Sequence, residues 1–322
     1  MKEHLYLIDN GMFLRESNTI FFVGEKLRYR IPINRISAIS CFGKASMSSM
    51  IVSLFCKKNI PVHLFSKYGK YEGSFMPAEW TYSGKVLIQQ AEYYLNKEKR
   101  MYLCEAFVNG CKNSMLEVIR DYKIRKEFLS ELKNTTFAGG DENQLRSYEG
   151  RLWQIFYRFL GANIRNFTFI RRKPNPPEDE INALISFGNA LLYGTVLTEI
   201  YNTQLNPQIS FLHTPMDKRN SLVLDIADIF KPIIVGRLTL KMGNFLKKEH
   251  FENIIKHKEK GIFLNQKGRK IFVSEYDKRI KTIIYVPQLK RDASLRAIIR
   301  NECYKLIRHL KGEFIYNVFE PW

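Results

Sequence analysis

The sequence predicts an α+β protein, with a small N-terminal β-rich domain over residues 1–78 and a larger, all-α-helical domain over 84–322. Three observations point there. Up to Pro77 the apolar residues come in short runs broken by glycine and asparagine turns, the pattern of strands. From Gly84 they recur at i, i+3, i+4 and i+7, the helical period. Pro77 separates the two patterns and places a short linker near 77–84.

The elements follow in order. "LYLID-NG-MFLRE" sets two apolar runs around Asn10-Gly11, a dipeptide suited to a tight hairpin. "TIFFV-GE-KLRYRIPI" repeats the plan around Gly24, and "RISAISCF" reads as a further strand. "ASMSSMIVSLFCKKN" predicts one short helix whose apolar face is Met47, Met50, Ile51 and Leu54. "IPVHLFSKYGKYEGSFMP" returns to strand, with a turn near Tyr68-Gly69. Beyond the linker, Leu87, Ile88, Ala91, Tyr94 and Leu95 mark a helical stripe. Helix continues through "FVNGCKNSMLEVIRDYKIRKEFLSELK" and breaks at "NTTFAGGDENQ". A new helix starts near Leu145 and carries Glu149, with Leu152, Ile155, Phe156 and Phe159 on its apolar face. A three-proline loop, "RRKPNPPEDE", precedes a helix from about Ile181 to Tyr201.

Composition narrows the function. At 45% hydrophobic and 13% aromatic, the 322 residues can bury a sizeable core, which excludes a disordered chain. No run approaches the roughly 18 consecutive apolar residues of a membrane span. Glu3 and Asp9 stand where a signal peptide needs its apolar stretch, so a cytoplasmic location is expected. The five scattered cysteines contain no CxxC pair and read as reduced thiols. Lys plus Arg is 51 against 32 acids, a net charge of +19. Such an excess points to a polyanionic partner, nucleic acid before an anionic membrane. Arg171, Arg172 and Lys173 form one basic patch, and Arg296 and Arg300 share a helical face in a second; both are expected to touch DNA phosphates.

The chemistry concentrates in "FLHTPMDKRNSLVLDIADIFKP". Asp225 and Asp228 lie three apart on a segment that reads as helix, so both carboxylates share a face. Two solvated acids, or a pair bonded to Lys or Arg, would fit that spacing as well as a cation site. His213, one polar loop upstream, adds an imidazole, and His plus carboxylate suits Mn²⁺ or Mg²⁺ better than structural zinc. Glu149 is the candidate third ligand from another helix, or else an exposed glutamate paired with arginine.

In this order and spacing the motifs resemble the CRISPR-associated adaptation integrases, metal-dependent DNA endonucleases that insert spacers into CRISPR arrays. The similarity spans nearly the whole chain, through "ISCFGKASMSSMIVSLFCKKNIPVHLFSKYGKYEGSFMP", "FVNGCKNSM", "YEGRLWQIFY", "RRKPNPPEDEINALISFGNALLYG", "FLHTP" and "SLVLDIADIFKP". The resemblance implies that Glu149, His213 and Asp228 bind Mg²⁺ or Mn²⁺, with Asp225 assisting at the catalytic site. It implies transesterification, a DNA 3′-hydroxyl attacking a repeat-boundary phosphate, with hydrolysis when water attacks instead. It further implies double-stranded and branched DNA as substrates, a homodimer formed through the β domain, and a small ferredoxin-like partner protein. The sequence departs from the family at Asp228, where Glu is frequent, at Lys231, where Arg is common, and at Asn189, where Tyr is frequent. The rival reading is a non-catalytic basic nucleic-acid scaffold, which leaves His213 and the acid pair unexplained. A membrane-surface protein is disfavoured because the helices read as core-packing, and no GxSxG or Cys–His pattern supports a general hydrolase.

The charge alone carries an expectation. Duplex DNA affinity will fall linearly on a log–log plot against salt between about 50 and 200 mM. A flat plot in fluorescence anisotropy would remove phosphate contact as the source of affinity.

Overall fold

The structure, a computed structural model, describes every residue except 1, 18, 26, 67, 78–82, 123–125, 218, 257, 258 and 322. Most of the expected linker falls outside the described residues. Before it come β1 (Glu3–Leu7), β2 (Gly11–Glu16), β3 (Thr19–Gly24), β4 (Arg28–Ile31), β5 (Ile36–Cys41), β6 (Ala45–Ser46), α1 (Ser49–Lys57), β7 (Val62–Phe65) and β8 (Tyr71–Phe75). They form two four-stranded sheets, ordered β1-β5-β7-β8 and β4-β3-β2-β6.

The Asn10-Gly11 hairpin does not form. β1 pairs parallel with β5, whereas β2 pairs antiparallel with β3, so these two residues carry the chain from one sheet to the other. Gly11 is needed for close approach instead: a Cβ there would lie 2.6 Å from the Val23 carbonyl oxygen. The hairpins near Gly24 and Gly69 do form, as β3–β4 and β7–β8. Between the sheets Phe13, Phe22 and Phe55 pack edge to face, the first with rings 5.2 and 5.4 Å from the other two. α1 buries Ile51 and Phe55 there, one turn apart, and leaves Met50 exposed.

The remainder is mostly helical: α2 (Gly84–Leu95), α3 (Lys97–Arg120), α4 (Lys126–Asn134), α5 (Glu142–Asn163), α6 (Glu180–Tyr201), α7 (Ser221–Lys231) and α8 (Arg237–Phe245). It is not all-α. Two antiparallel hairpins, β9–β10 (Phe251–Lys256, Glu259–Leu264) and β11–β12 (Ile283–Val286, Arg291–Ser294), flank α9 (Gln266–Ile280), and α10 (Leu295–Leu310) follows. Their short runs, rich in isoleucine and lysine, lack the glycine and asparagine turns that mark hairpins nearer the N-terminus. α2 also turns its stripe outward, burying Val86 and Gln90 while Ile88 and Leu95 are exposed. Gln90 wins the interior because its amide hydrogen-bonds the Asn206 and Ile209 carbonyls and the Asn206 N–H.

α6 is the axis of the helical part. It is long and apolar enough to cross a bilayer by length and composition, but 83% of its most apolar window is buried inside the protein. Gly188 lets a neighbouring π-helical turn, Pro232–Gly236, come close; a Cβ there would meet Val235 at 2.7 Å. The β-rich part is not an independent body. Ile8, Phe42 and Phe65 belong to the same core as α6 and α7, and buried His63 bridges Ser74 and Thr198.

One ion cluster ties chain start to chain end. Glu199, fully buried on α6, accepts from Arg296 Nε at 2.6 Å and Arg300 Nε at 2.5 Å, and Arg296 Nη1 donates to Ser37 Oγ at 2.7 Å. Arg296 is therefore held mostly in the interior, on Glu199 and Ser37, rather than standing free in solvent as its helical face suggested. Replacing Glu199 with alanine leaves that guanidinium buried without its carboxylate and is expected to cost about 3–5 kcal/mol. Arg300→Met, at a side chain 42% exposed, is expected to cost about 1 kcal/mol or less. Urea denaturation of both variants checks this ordering, and equal losses would contradict it.

Candidate functional site

The site is built around a carboxylate with no solvent exposure. Asp225 projects from α7, which packs between α3 and α6. Its Oδ2 accepts the backbone N–H of Phe211 at 2.6 Å and of Leu212 at 3.1 Å. Its Oδ1 accepts the His213 N–H at 2.9 Å and lies 2.8 Å from His213 Nδ1. Four donors on two oxygens let a charge stay buried, and they curl residues 211–213 against the helix. The loop's carbonyls are held too. Arg100 Nε donates to Phe211 at 2.8 Å, Arg146 to Leu212 at 3.1 Å, and Ser210 Oγ to His213.

This arrangement settles the imidazole. With Nδ1–H given to Asp225, Nε2 carries the lone pair, and it lies 3.7 Å from Asp228 Oδ2. Burial works against a charge on His213, but the Asp225 hydrogen bond and the Asp225 and Asp228 charges outweigh it and raise its pKa. Asp228, one turn along α7 from Asp225, is 3% exposed. Its Oδ1 meets the Lys231 ammonium in a direct ion pair.

Glu149 approaches from α5. That helix starts at a capping box between Asp141 and Gln144, and it buries Leu145, Tyr148, Leu152 and Phe156. This sets Glu149 beside the cavity, where Trp153 Nε1 donates to its Oε1 at 3.2 Å. Burial and the Asp228 charge push the Glu149 carboxyl up to about 7, against the pull of His213 and Lys231. Glu149, His213 and Thr214 line a cavity of about 280 Å³ with Arg146 and Arg219, both exposed.

The four acid and histidine candidates therefore converge from α5, α7 and the loop before α7. Among the described residues no three His, Cys, Asp or Glu side chains are drawn tightly enough to enclose an ion. The donor set nonetheless suits a hard divalent cation: the carboxylates of Glu149 and Asp228, and an imidazole Nε2 whose ring is fixed through its other nitrogen.

The basic patches lie elsewhere. Arg172 turns inward to the Asn182 side chain at 2.8 Å and Ser186 at 3.0 Å, Lys173 pairs with Glu178 at 2.5 Å, and Arg171 is exposed. Arg296 and Arg300 sit on Glu199. Sequence reasoning passed over Lys231 as a mere variation before a proline. Its side chain is 13% exposed, pairs with Asp228, and lies 5.0 Å from the Tyr193 ring and 5.7 Å from Trp153. Its spacing of three from Asp228 was the available signal. Tyr193, one turn beyond Asn189, supplies a phenol at the site that position 189 lacks.

Comparison with known proteins follows the same lines. Residues 5–278 match the family profile described as CRISPR associated protein Cas1. The chain is 41% identical to CRISPR-associated protein Cas1 1 of Methanobrevibacter ruminantium, over 100% of this chain and 99% of that one. It is 38% identical to CRISPR-associated endonuclease Cas1 3 of Thermodesulfovibrio yellowstonii, over 98% of each. The solved structure of a Cas1 protein from Thermotoga maritima superposes with a TM-score of 0.86 at 34% identity, covering 99% of this chain and 100% of that chain. A casposase bound to integration product shares the fold at a TM-score of 0.82 and 17% identity, over 99% and 93% of the two chains. With its profile match across most of the chain and relatives above 30% identity along its full length, this protein belongs to the CRISPR-associated protein Cas1 family.

Proposed function

We propose that this chain is a Mg²⁺- or Mn²⁺-dependent DNA nuclease and integrase of CRISPR adaptation, acting in the cytoplasm. The strand-transfer reading has a DNA 3′-hydroxyl displacing a repeat-boundary phosphodiester, and hydrolysis results when water takes its place. One observation carries this reading: Asp225 fixes His213 so that Nε2 faces Asp228 beside the raised carboxyl of Glu149. Names of relatives and neighbours support it, since several relatives are called endonucleases and the casposase structure contains an integration product.

Glu149, His213 and Asp228 would hold the ion, which supplies Lewis-acid stabilisation of charge on the phosphoryl oxygens. Asp225 takes the His213 Nδ1–H and keeps the ring turned so that Nε2 faces the ion, which must displace any proton held there. Lys231 offsets part of the Asp228 charge and eases its repulsion of Glu149. Arg146 and Arg219, at the cavity wall, attract and orient the DNA phosphate. Branched and double-stranded DNA are the proposed substrates, with Arg171 an accessible backbone contact. Neighbours of the same fold include a Cas6-RT-Cas1–Cas2 complex and a Cas1–DNA complex. Those names support DNA and a Cas2 partner for this chain as well; that the partner is small and ferredoxin-like is part of the proposal.

The decisive experiment is single alanine substitution at Glu149, His213 and Asp228. Each is expected to abolish cleavage and strand transfer on branched DNA while leaving DNA affinity intact, and the losses will not add. Asp225→Ala will reduce activity through the misplaced imidazole. Chelator will silence the wild type and Mn²⁺ or Mg²⁺ will restore it. Chelator-resistant integration by His213→Ala would sink the assignment.

The raised Glu149 carboxyl adds a pH signature. Protonated Glu149 cannot ligate a cation, so binding must expel its proton. Mn²⁺ affinity, titrated calorimetrically, is expected to weaken by at least about tenfold per pH unit below about 7. A pH-independent affinity between 5 and 7 would exclude Glu149 as a ligand.

The homodimer expectation finds a surface on β2, where Met12 and Leu14 are 47% and 37% exposed two residues apart, on one face of the strand. Because the β-rich part shares the helical core, truncation is an unsuitable test. Met12→Glu with Leu14→Glu in the full chain is expected to halve the mass found by light scattering. An unchanged dimer would place the interface elsewhere.

A further inference from the structure

A second cationic cavity lies where the first sheet meets the start of α10. Its volume is about 550 Å³, and Lys2, Arg291, Arg296 and Arg300 line it together with Asn202 and Asn301. None of the described residues lining it is acidic. Glu199, behind the wall, can offset only one of the two arginines it binds, so the cavity keeps a positive excess.

Two further features favour an anion. The first turn of α10 reaches the cavity through Arg296 and Ala297, and this 16-residue helix presents the partial positive charge of its N-terminus there. Arg296 is 9% exposed, with Nε on Glu199 and Nη1 on Ser37, yet Nη2 is buried with no acceptor. A buried guanidinium N–H without an acceptor is costly; the atom is sealed within the wall, so an anionic oxygen in the cavity relieves it only as the guanidinium shifts outward.

We propose that this cavity binds a phosphate group carried on a nucleotide unit. Arg296 and Arg300 are already splayed by Glu199 and lose little freedom on binding, whereas exposed Lys2 and Arg291 close over the ligand from the rim. Tyr304, 46% exposed on the same wall, offers an aromatic face to the attached sugar or base. The volume exceeds what one phosphate fills. The phosphate comes either from a DNA strand or from a free nucleotide or pyrophosphate. The site does not depend on the metal-centre reading and can be tested with metal removed.

The test compares chelator-treated full-length wild type with Lys2→Gln/Arg291→Gln, whose changed residues lie on the surface. Thermal unfolding is followed with inorganic pyrophosphate against chloride of equal ionic strength. Fluorescence anisotropy follows duplex DNA across a salt series. The wild type is expected to gain thermal stability with pyrophosphate and the double variant to lose that gain. If the phosphate belongs to DNA, the variant's DNA affinity falls at least about fivefold and its salt slope shrinks by about two. If the ligand is free, DNA binding is unchanged while the pyrophosphate response is lost. Identical pyrophosphate responses together with identical DNA binding would overturn the proposal.

Discussion

The functional geometry hangs on the burial of one carboxylate. Asp225 is sealed from water, so it must be satisfied locally, and it takes three consecutive backbone N–H groups and an imidazole from a loop 12 to 14 residues upstream. A loop that surrenders its amides to a helix cannot wander. Arg100 and Arg146 complete the restraint from the carbonyl side. His213 is thus fixed in position, orientation and tautomer by a residue that need not itself touch a ligand. Asp228, only one turn further along α7, is countered instead by a single side chain, the Lys231 ammonium.

The rest of the site manages the resulting surplus of negative charge. Three carboxylates meet within a protein whose overall charge is +19. Surface lysines cannot screen groups this deeply buried, so the compensation is local. Lys231 is held in the interior by Asp228 and Tyr193 with its ammonium stabilised, although burial alone would lower its pKa. Glu149 responds differently, its carboxyl rising to about 7. Pro232, directly after Lys231, has no N–H for the helix ladder and begins the π-helical turn Pro232–Gly236. Arg279 Nε donates to the Ile233 carbonyl of that turn at 3.0 Å. Irregular backbone next to a charged site is a recurring companion of function.

What was legible in the sequence follows from the range of each interaction. The helices that carry Glu149 and Asp228 were readable because helix periodicity is a local signal. The hairpins around Gly24 and Gly69 were readable for the same reason. Asn10-Gly11 misled, since its local preference for a hairpin yielded to the pairing of β1 with β5, about thirty residues away. The stripe on α2 misled because Gln90, polar by type, found three backbone partners inside. Arg296 and Arg300 were correctly placed on one helical face, but no local pattern announces that Glu199, about a hundred residues earlier, would claim that face. The C-terminal hairpins were missed because their apolar runs are short and lack the turn residues that betray the N-terminal ones.

The hydrogen bond from Arg296 to Ser37 joins positions 259 residues apart. On a ribosome adding roughly 5–20 residues per second, the β-rich part would emerge on the order of ten to fifty seconds before the helix that closes against it. During that interval the face of β5 and β7 bearing Phe65 and His63 waits first without α6 and throughout without α10. The polar residues on that face, His4, Ser40 and His63, gain a second meaning in this light. Buried in the finished protein, they would keep the waiting sheet wetted and poorly suited to stacking on another nascent chain. A contact that looks like a late fastening therefore also sets how long a newborn sheet must stay soluble alone.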